Sequence, residues 1–332
     1  MAKIVHVILS GGVGSRLWPL SRKSKPKQYL ELFDGMSLFE MALKRNTNIA
    51  SRVIVVGNKD NCHLSKSVLD DSKVDYIDIV EAIPRNTAAA IAFAAFASDK
   101  EDVLIITPSD HIIQNQGEYQ NAINQAIEKA RENYLVTFGI KPLKPETGYG
   151  YIEFNNDEVL SFREKPNHVT AQEFLDRGNF LWNSGMFCFK AGVFLKELRL
   201  FEPKIYETAL KAWENNNEGI LDETLSRDIP SISIDYAVME RSKKIKVVSS
   251  GFEWSDLGSF ESVYDYLASQ GYPIDESGNM VIGTPNYTSF IGLRNTIFIA
   301  TPDANLILQK EHSQEVKNVY GYLEKHLPEL LN

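Results

Sequence analysis

Residues 10–28 read SGGVGSRLWPLSRKSKPKQ and follow an apolar run, Ile4 to Leu9, that predicts a buried opening β-strand. Glycines 11, 12 and 14 let the backbone turn tightly and bring amide N–H groups close to a ligand. Ser15 and Arg16 come next, and Arg22, Lys23, Lys25 and Lys27 add positive charge immediately downstream. Fixed amide dipoles at short range, with cations around them, suit a polyphosphate. Taken alone, the glycines also fit a tight turn with no ligand. Two other glycine loops are poor fits. A P-loop ends in Gly-Lys-Ser/Thr, and no such triplet follows Gly14. A dinucleotide fingerprint through Gly12-Val13-Gly14 wants a small residue where Leu17 stands, and an acid where Gly57-Asn58 follows Val53–Val56.

Outward from this loop the chain alternates. Strand-like runs recur at 3–9, 52–57, 76–80, 103–107 and 134–138, with helical segments at 37–46, 60–71, 86–98 and 117–132. The helix at 86–98 contains TAAAIAFAAFA and is apolar nearly all round, so it should pack against the sheet. Strands alternating with helices predict βαβ units and a Rossmann-like α/β fold, with a mixed, mostly parallel sheet and ligands at the C-terminal strand ends. After about residue 140, strand-like pieces near 149–154, 158–163, 185–190 and 245–249 suggest an inserted antiparallel or mixed portion covering that ligand edge. From Gly278 onward come β runs at 280–282, 289–293, 296–300 and 304–309, then an amphipathic helix near 314–330. The expected division is therefore a catalytic domain over 1–260 and a small β-rich C-terminal subdomain over 261–332.

The 332 residues, 43% hydrophobic and 24% charged, can build a sizeable core. A net charge of −9 argues against a nucleic-acid partner, and residues 16–27 reverse that sign only locally, as suits a small anionic substrate. No apolar run approaches the roughly 18–20 residues of a membrane span. The start, Met-Ala-Lys and then a strand, does not read as a secretory signal. Cys62 and Cys188 lie far apart and read as buried reduced thiols, so a cytoplasmic location is expected. The six histidines show no zinc-ligand spacing.

Candidate chemistry lies after the strands. Thr107-Pro108-Ser109-Asp110-His111 puts a carboxylate at the C-terminal end of 103–107, and Trp254-Ser255-Asp256-Leu257-Gly258 offers a second among turn-forming residues. Brought together over a polyphosphate, Asp110 and Asp256 would hold Mg2+ with phosphate and water oxygens; separately, each serves as well in a turn or helix cap. In Glu81-Ala82-Ile83-Pro84-Arg85-Asn86-Thr87, Asn86 or Thr87 would cap the alanine-rich helix, and the same loop can present Asn86 and backbone groups to a purine edge. Glu146-Thr147-Gly148-Tyr149-Gly150-Tyr151, Phe162-Arg163-Glu164-Lys165-Pro166 and Trp182-Asn183-Ser184-Gly185-Met186 supply close approach, carboxylate, amide and aromatic surface, as a sugar requires. Glu164 between two cations is equally at home in a solvated ion-pair cluster. Gly-x-Ser-x-Gly does not occur, so no serine nucleophile is indicated.

Eight segments in this order, GGVGSRLWPLSR with PKQ, PRNTAAAI, TPSDH, ETGYGYIE, FREKP, FLWNSGMF, SIDYAVMER and FEWSDLGSF, resemble the sugar-nucleotidyltransferases, and among them the mannose-1-phosphate guanylyltransferase branch. The resemblance spans nearly the whole chain. It implies transfer of GMP from GTP to mannose 1-phosphate, with Mg2+ as cofactor and no covalent intermediate. Carried over residue by residue, Gly11, Gly12, Gly14, Ser15 and Arg16 would cradle the triphosphate, and Lys27 would neutralise charge as it develops. Asp110 and Asp256 would hold the metal, with Arg16, Lys27 and Asp110 as the catalytic set. Pro84, Asn86 and Thr87 would line the guanosine pocket. Gly148, Glu164 and Asn183 would grip mannose, and Lys165 its phosphate. Asp235, Tyr236 and Glu240 would support the floor of the site. Members are often dimers, and the β-rich C-terminal piece is where copies of this chain would meet. Three other readings stay open: another sugar 1-phosphate or nucleotide, a catalytically silent nucleotide-sugar sensor on the same fold, and, more remotely, a nicotinamide-dependent oxidoreductase.

Overall fold

The computed structural model describes residues 2–31 and 35–332. Fourteen strands occur among them: β1 Ile4–Ser10, β2 Arg52–Asn58, β3 Tyr76–Glu81, β4 Val103–Pro108, β5 Ile112–Gln114, β6 Leu135–Ile140, β7 Tyr151–Asn155, β8 Glu158–Arg163, β9 Phe180–Lys190, β10 Ile245–Ser250, β11 Glu253–Ser255, β12 Met280–Ile282, β13 Thr296–Ala300 and β14 Asn305–Gln309. The chain forms two compact units. One takes the chain up to Gly11, Ala42–Ser109 and Ile113–Trp254; the other takes Gly12–Met41, Asp110–Ile112 and Ser255–Asn332. The expected divide at 260/261 lies beyond the last crossing, and 12–41 and 110–112 group with the C-terminal residues.

The first unit is built on a nine-stranded sheet of order β3-β2-β1-β4-β9-β6-β10-β8-β7. Its strands β3, β2, β1 and β4 run parallel, with Leu9 opposite both Val56 and Pro108, so their C-terminal ends align. The chain order reverses between β1 and β4, with β2 on one side of β1 and β4 on the other. The glycine loop follows β1 and the Asp110 segment follows β4 in the chain. Burial follows the period-2 rule. Leu104 and Ile106 join one core cluster, while Val103 and Ile105 join another, so both faces of β4 are covered. The helix Asn86–Phe96 belongs to the first cluster with Ala88–Ala95 all buried, as its all-round apolar pattern predicts.

The segments after residue 140 do not form a separate cover. β9 lies inside the main sheet, antiparallel to both β4 and β6, while β8 and β7 extend its edge. Phe187, Cys188 and Phe189 are all buried, because β9 carries apolar residues on both faces and a two-sided site must take it.

In the second unit β12, β13 and β14 form a three-stranded sheet. Met280, Ile282, Ile297 and Ile299 pack there with Leu17, Leu257, Phe260 and Tyr320 in one core. Two expectations fail here. Ser289–Leu293 is not a strand: Gly292 is left-handed at φ 73 and Ile291 is 91% exposed, so the run neither pairs nor buries its apolar residues. The helix expected over 314–330 is a 3-10 segment Lys310–Glu315, an α-helix Val316–His326 and a 3-10 turn Pro328–Leu331. Pro328 drives Leu327 out of the helical region, to φ −145, and ends the helix.

Candidate active site

In the second unit the glycine loop is shaped by one lysine. Gly12 and Gly14 are left-handed at φ 87 and φ 70, a region glycine enters without penalty. A Cβ on Gly14 would lie 2.6 Å from Lys27 Cβ, so the loop rides directly on the lysine stem. A Cβ on Gly12 would meet nothing within 4 Å, which leaves that stretch of backbone open to a ligand. Ser15 begins the 3-10 turn Ser15–Leu17, anchored by buried Leu17, and Arg16 is exposed.

Lys27 is buried, and its Nζ donates to Asp110 Oδ2 at 2.7 Å, to the Asp256 carbonyl and to the Leu257 carbonyl at 3.4 Å. The Asp110 carboxylate and the Asp256 backbone carbonyl, far apart in sequence, thus meet at one ammonium. Leu257 holds φ 44, costly for a bulky residue, and the turn it makes belongs to the pair of carbonyls facing Lys27. Burial would raise the Asp110 pKa, but the Lys27 ammonium, His111 and the Lys27 hydrogen bond outweigh it and hold the carboxyl below its ordinary value. Asp256 Oδ1 accepts from the Gly258 amide at 2.9 Å. Among the described residues no three His, Cys, Asp or Glu side chains gather as a metal site. The donor set of Asp110 and Asp256 is oxygen only, which fits a hard divalent cation completed by phosphate and water, and the Lys27 ammonium marks where positive charge is held.

Arg22, Lys23 and Lys25 of the loop each pair with an acid of the same unit. Arg22 is buried, donates to the carbonyls of Pro19 and Leu330, and pairs with Asp303 at 2.7 Å. Lys25 pairs with Glu31 at 3.0 Å and Lys23 with Glu324 at 3.5 Å.

In the first unit β3 ends at buried Glu81, which accepts from the Arg85 amide at 3.3 Å. Burial pushes the Glu81 carboxyl up to about 7, and that single bond only partly offsets it. Arg85 donates to the carbonyls of Ile229 and, at 2.7 Å, Arg227, fixing the loop, while Pro84 and Asn86 are exposed. Neither Asn86 nor Thr87 caps the helix as expected. Asn86 is itself left-handed at φ 68, and its Oδ1 accepts from the adjacent Thr87 amide at 2.8 Å. Thr87 Oγ1 instead accepts from the Ile234 amide at 2.9 Å.

The predicted sugar-side residues also converge within the first unit. A Cβ on Gly150 would lie 3.2 Å from Glu164 Oε2 and 3.7 Å from Asn183 Cβ, so Glu164 and Asn183 both approach the same position beside Gly150. Gly148 instead donates its amide to Glu146 Oε1 at 2.9 Å. Lys165 pairs with Glu164 at 3.0 Å. Asn183 Nδ2 donates to Asp235 Oδ1 at 2.8 Å, a link that no local pattern reveals. The Tyr149 ring stands edge-on to Trp182 at 5.2 Å and to Trp254 at 5.0 Å, a wall of aromatic surface beside Gly150 in sequence. Cys188 is buried and Cys62 partly exposed; both are free.

The sequence profile described as nucleotidyl transferase matches residues 5–270. The chain belongs to the nucleotidyl transferase family. It is 38% identical to the xanthan biosynthesis protein XanB of Xanthomonas campestris, over 98% of this chain and 74% of that protein. It is 36% identical to a mannose-1-phosphate guanylyltransferase of Salmonella muenchen, again over 98% of this chain and 74% of that one. A crystal structure of mannose-1-phosphate geranyltransferase from Thermus thermophilus superposes with a TM-score of 0.83 at 26% identity, covering 97% of this chain and 99% of that chain. Among the described residues no helix is long and apolar enough to cross a membrane.

Proposed function

We propose that this chain transfers GMP from GTP to α-D-mannose 1-phosphate, giving GDP-mannose and pyrophosphate. The observation that carries the reading is the meeting of Lys27 Nζ with the Asp110 carboxylate and the Asp256 and Leu257 carbonyls. The relatives' names support the choice of guanylyl and mannosyl partners. A phosphate oxygen of the sugar phosphate attacks the α-phosphorus; the new P–O bond forms as the bond to the β-phosphate breaks, and pyrophosphate leaves with the electron pair. Chemistry of this kind asks the protein for positioning and charge stabilisation.

Gly11, Gly12, Gly14, Ser15 and Arg16 hold the triphosphate, and Lys27 stabilises charge at the α-phosphate. Asp110 and Asp256 hold Mg2+, which when bound supplies charge neutralisation at the phosphate oxygens. Pro84, Asn86 and Thr87 line the guanosine, with Glu81 close by in sequence. Glu164 and Asn183 take the mannose hydroxyls, with Gly148 and Gly150 giving close approach, and Lys165 takes the sugar's phosphate. Residues 1–260 carry the catalysis, two copies associate through the β-rich 261–332, and the enzyme works in the cytoplasm. The test is pyrophosphate release from four nucleoside triphosphates crossed with mannose, glucose and galactose 1-phosphates. The GTP and mannose 1-phosphate pair should exceed every other; a different best pair overturns the substrate assignment, and no release from any pair overturns the activity.

A further inference from the structure

We propose that Asp235 is the positioning residue that fixes the side-chain amide of Asn183 so that it offers an N–H, and not its oxygen, to a hydroxyl of the hexose. The inference rests on the sugar phosphate reading above and deepens it.

Asn183 lies in β9 just before Gly185, which is left-handed at φ 69, and the β6–β9 register shifts between Thr137 and Gly139. Its two amide ends meet partners that cannot be exchanged. Asn183 Oδ1 accepts from the Gly185 amide at 3.1 Å and lies 3.5 Å from Thr137 Oγ1. Asn183 Nδ2 donates to Asp235 Oδ1 at 2.8 Å. A backbone amide only donates, and this carboxylate oxygen accepts, so both contacts select one of the two amide orientations. One N–H of Nδ2 then remains for a ligand. Glu164, which like Asn183 approaches the Cβ position of Gly150, offers only acceptors when ionised. The pair presents one donor and one acceptor, as two hydroxyls of a pyranose require. A half-turn of the Asn183 amide would leave the pair presenting oxygen acceptors only.

Asp235 is held in place by its neighbours. It opens the π-helical turn Asp235–Met239, whose Ala237, Val238 and Met239 are buried in the core, and π turns concentrate at functional positions. Its own carbonyl accepts from the Glu240 amide at 2.8 Å. Immediately before it, the Ile234 amide donates to Thr87 Oγ1 at 2.9 Å and the Ile232 carbonyl accepts from the Ala88 amide at 3.3 Å. The loop expected to line the guanosine therefore supports the turn that orients Asn183.

The experiment compares Asp235→Ala, Asp235→Asn and Asn183→Ala, alone and with Asp235→Ala added to Asn183→Ala. Asp235→Ala should raise KM for mannose 1-phosphate about tenfold or more, the scale of losing an orienting contact, and leave KM for GTP unchanged. Asp235→Asn should restore near-wild-type KM, since its amide oxygen can accept the same N–H. Asp235→Ala should add nothing once Asn183 is gone. Equal rises in both KM values, failure of the Asn rescue, or full additivity in the double variant would each overturn the proposal. A readout without substrate separates this from the substrate reading. The side-chain amide NMR signals of Asn183, assigned by their loss in Asn183→Ala, should be widely split in the wild type and in Asp235→Asn and merge towards free-amide positions in Asp235→Ala. Unmoved signals overturn the positioning role; moved signals in a protein that turns over no hexose 1-phosphate overturn the substrate reading alone.

Discussion

Replacing Lys27 by Met keeps the apolar stem and removes the charge, which isolates what the ammonium does. Lys27 is buried, and the Asp110 side chain that it pairs with at 2.7 Å is 27% exposed. Stranding a fully buried partner costs about 3–5 kcal/mol, and partial solvation of Asp110 reduces the expected loss to about 1–3 kcal/mol. The sign with pH follows from the carboxyl. Asp110 has its folded pKa below the ordinary 3.8, so its pairing contributes stability above that value and loses it as pH falls through the folded pKa. In Lys27→Met the largest opposition to burial is gone and the carboxyl's pKa rises above its wild-type position, so the variant is weakest relative to wild type at neutral pH. Urea unfolding should show wild type and variant furthest apart near neutrality and converging as pH falls below 3.8. Adding Asp110→Asn to Lys27→Met should recover part of the loss at neutral pH, because the stranded charge is gone. Turnover should fall by about 10²–10³ with KM for GTP changed much less, as expected for a group that stabilises developing charge. A stability loss independent of pH, or a purely KM effect, would refute the reasoning.

Asp110→Asn and Asp256→Asn should each lower pyrophosphate release at least about a hundredfold while leaving the circular dichroism spectrum unchanged, and normal release in both would remove the metal assignment. Gly14→Ala meets both a left-handed backbone and a contact of 2.6 Å with Lys27 Cβ, so it should cost about 2 kcal/mol or more in urea unfolding and lower turnover; a silent substitution would show the loop is not seated on Lys27. Glu81 is the opposite case to Asp110. Its folded pKa of about 7 lies above the ordinary 4.5, so its ionisation destabilises the fold as pH rises through that window. Glu81→Gln should therefore be more stable than wild type at alkaline pH, by at most about 3 kcal/mol, with the gap closing towards pH 4.5. A gap that does not vary with pH would refute it.

Much of the fold was legible because it is set by local periodicity. The alternation of β1 to β4 with helices, the buried alanine helix Asn86–Phe96 and the turn at Gly12–Gly14 each follow from residues near one another in sequence. Where expectation failed, a single residue or a distant partner decided: Pro328 broke a helix that its amphipathic pattern would have continued, and β9 entered the main sheet instead of covering it. In the site, Arg22 and Lys27 give the same local signal of a cation after a glycine loop, yet Arg22 bonds Asp303 and the chain end while Lys27 bonds Asp110.

By itself the sequence determined the α/β class, the position of the glycine loop and the residue types available for chemistry, since propensity and hydrophobic period act over a few residues. Only the tertiary structure decided which of those residues meet. The pairs Lys27 with Asp110, Asn183 with Asp235 and Thr87 with Ile234 join segments separated by many turns of chain. Hydrogen bonds and ion pairs are short-ranged and directional, so their partners are fixed by packing in space and leave no periodic trace along the sequence.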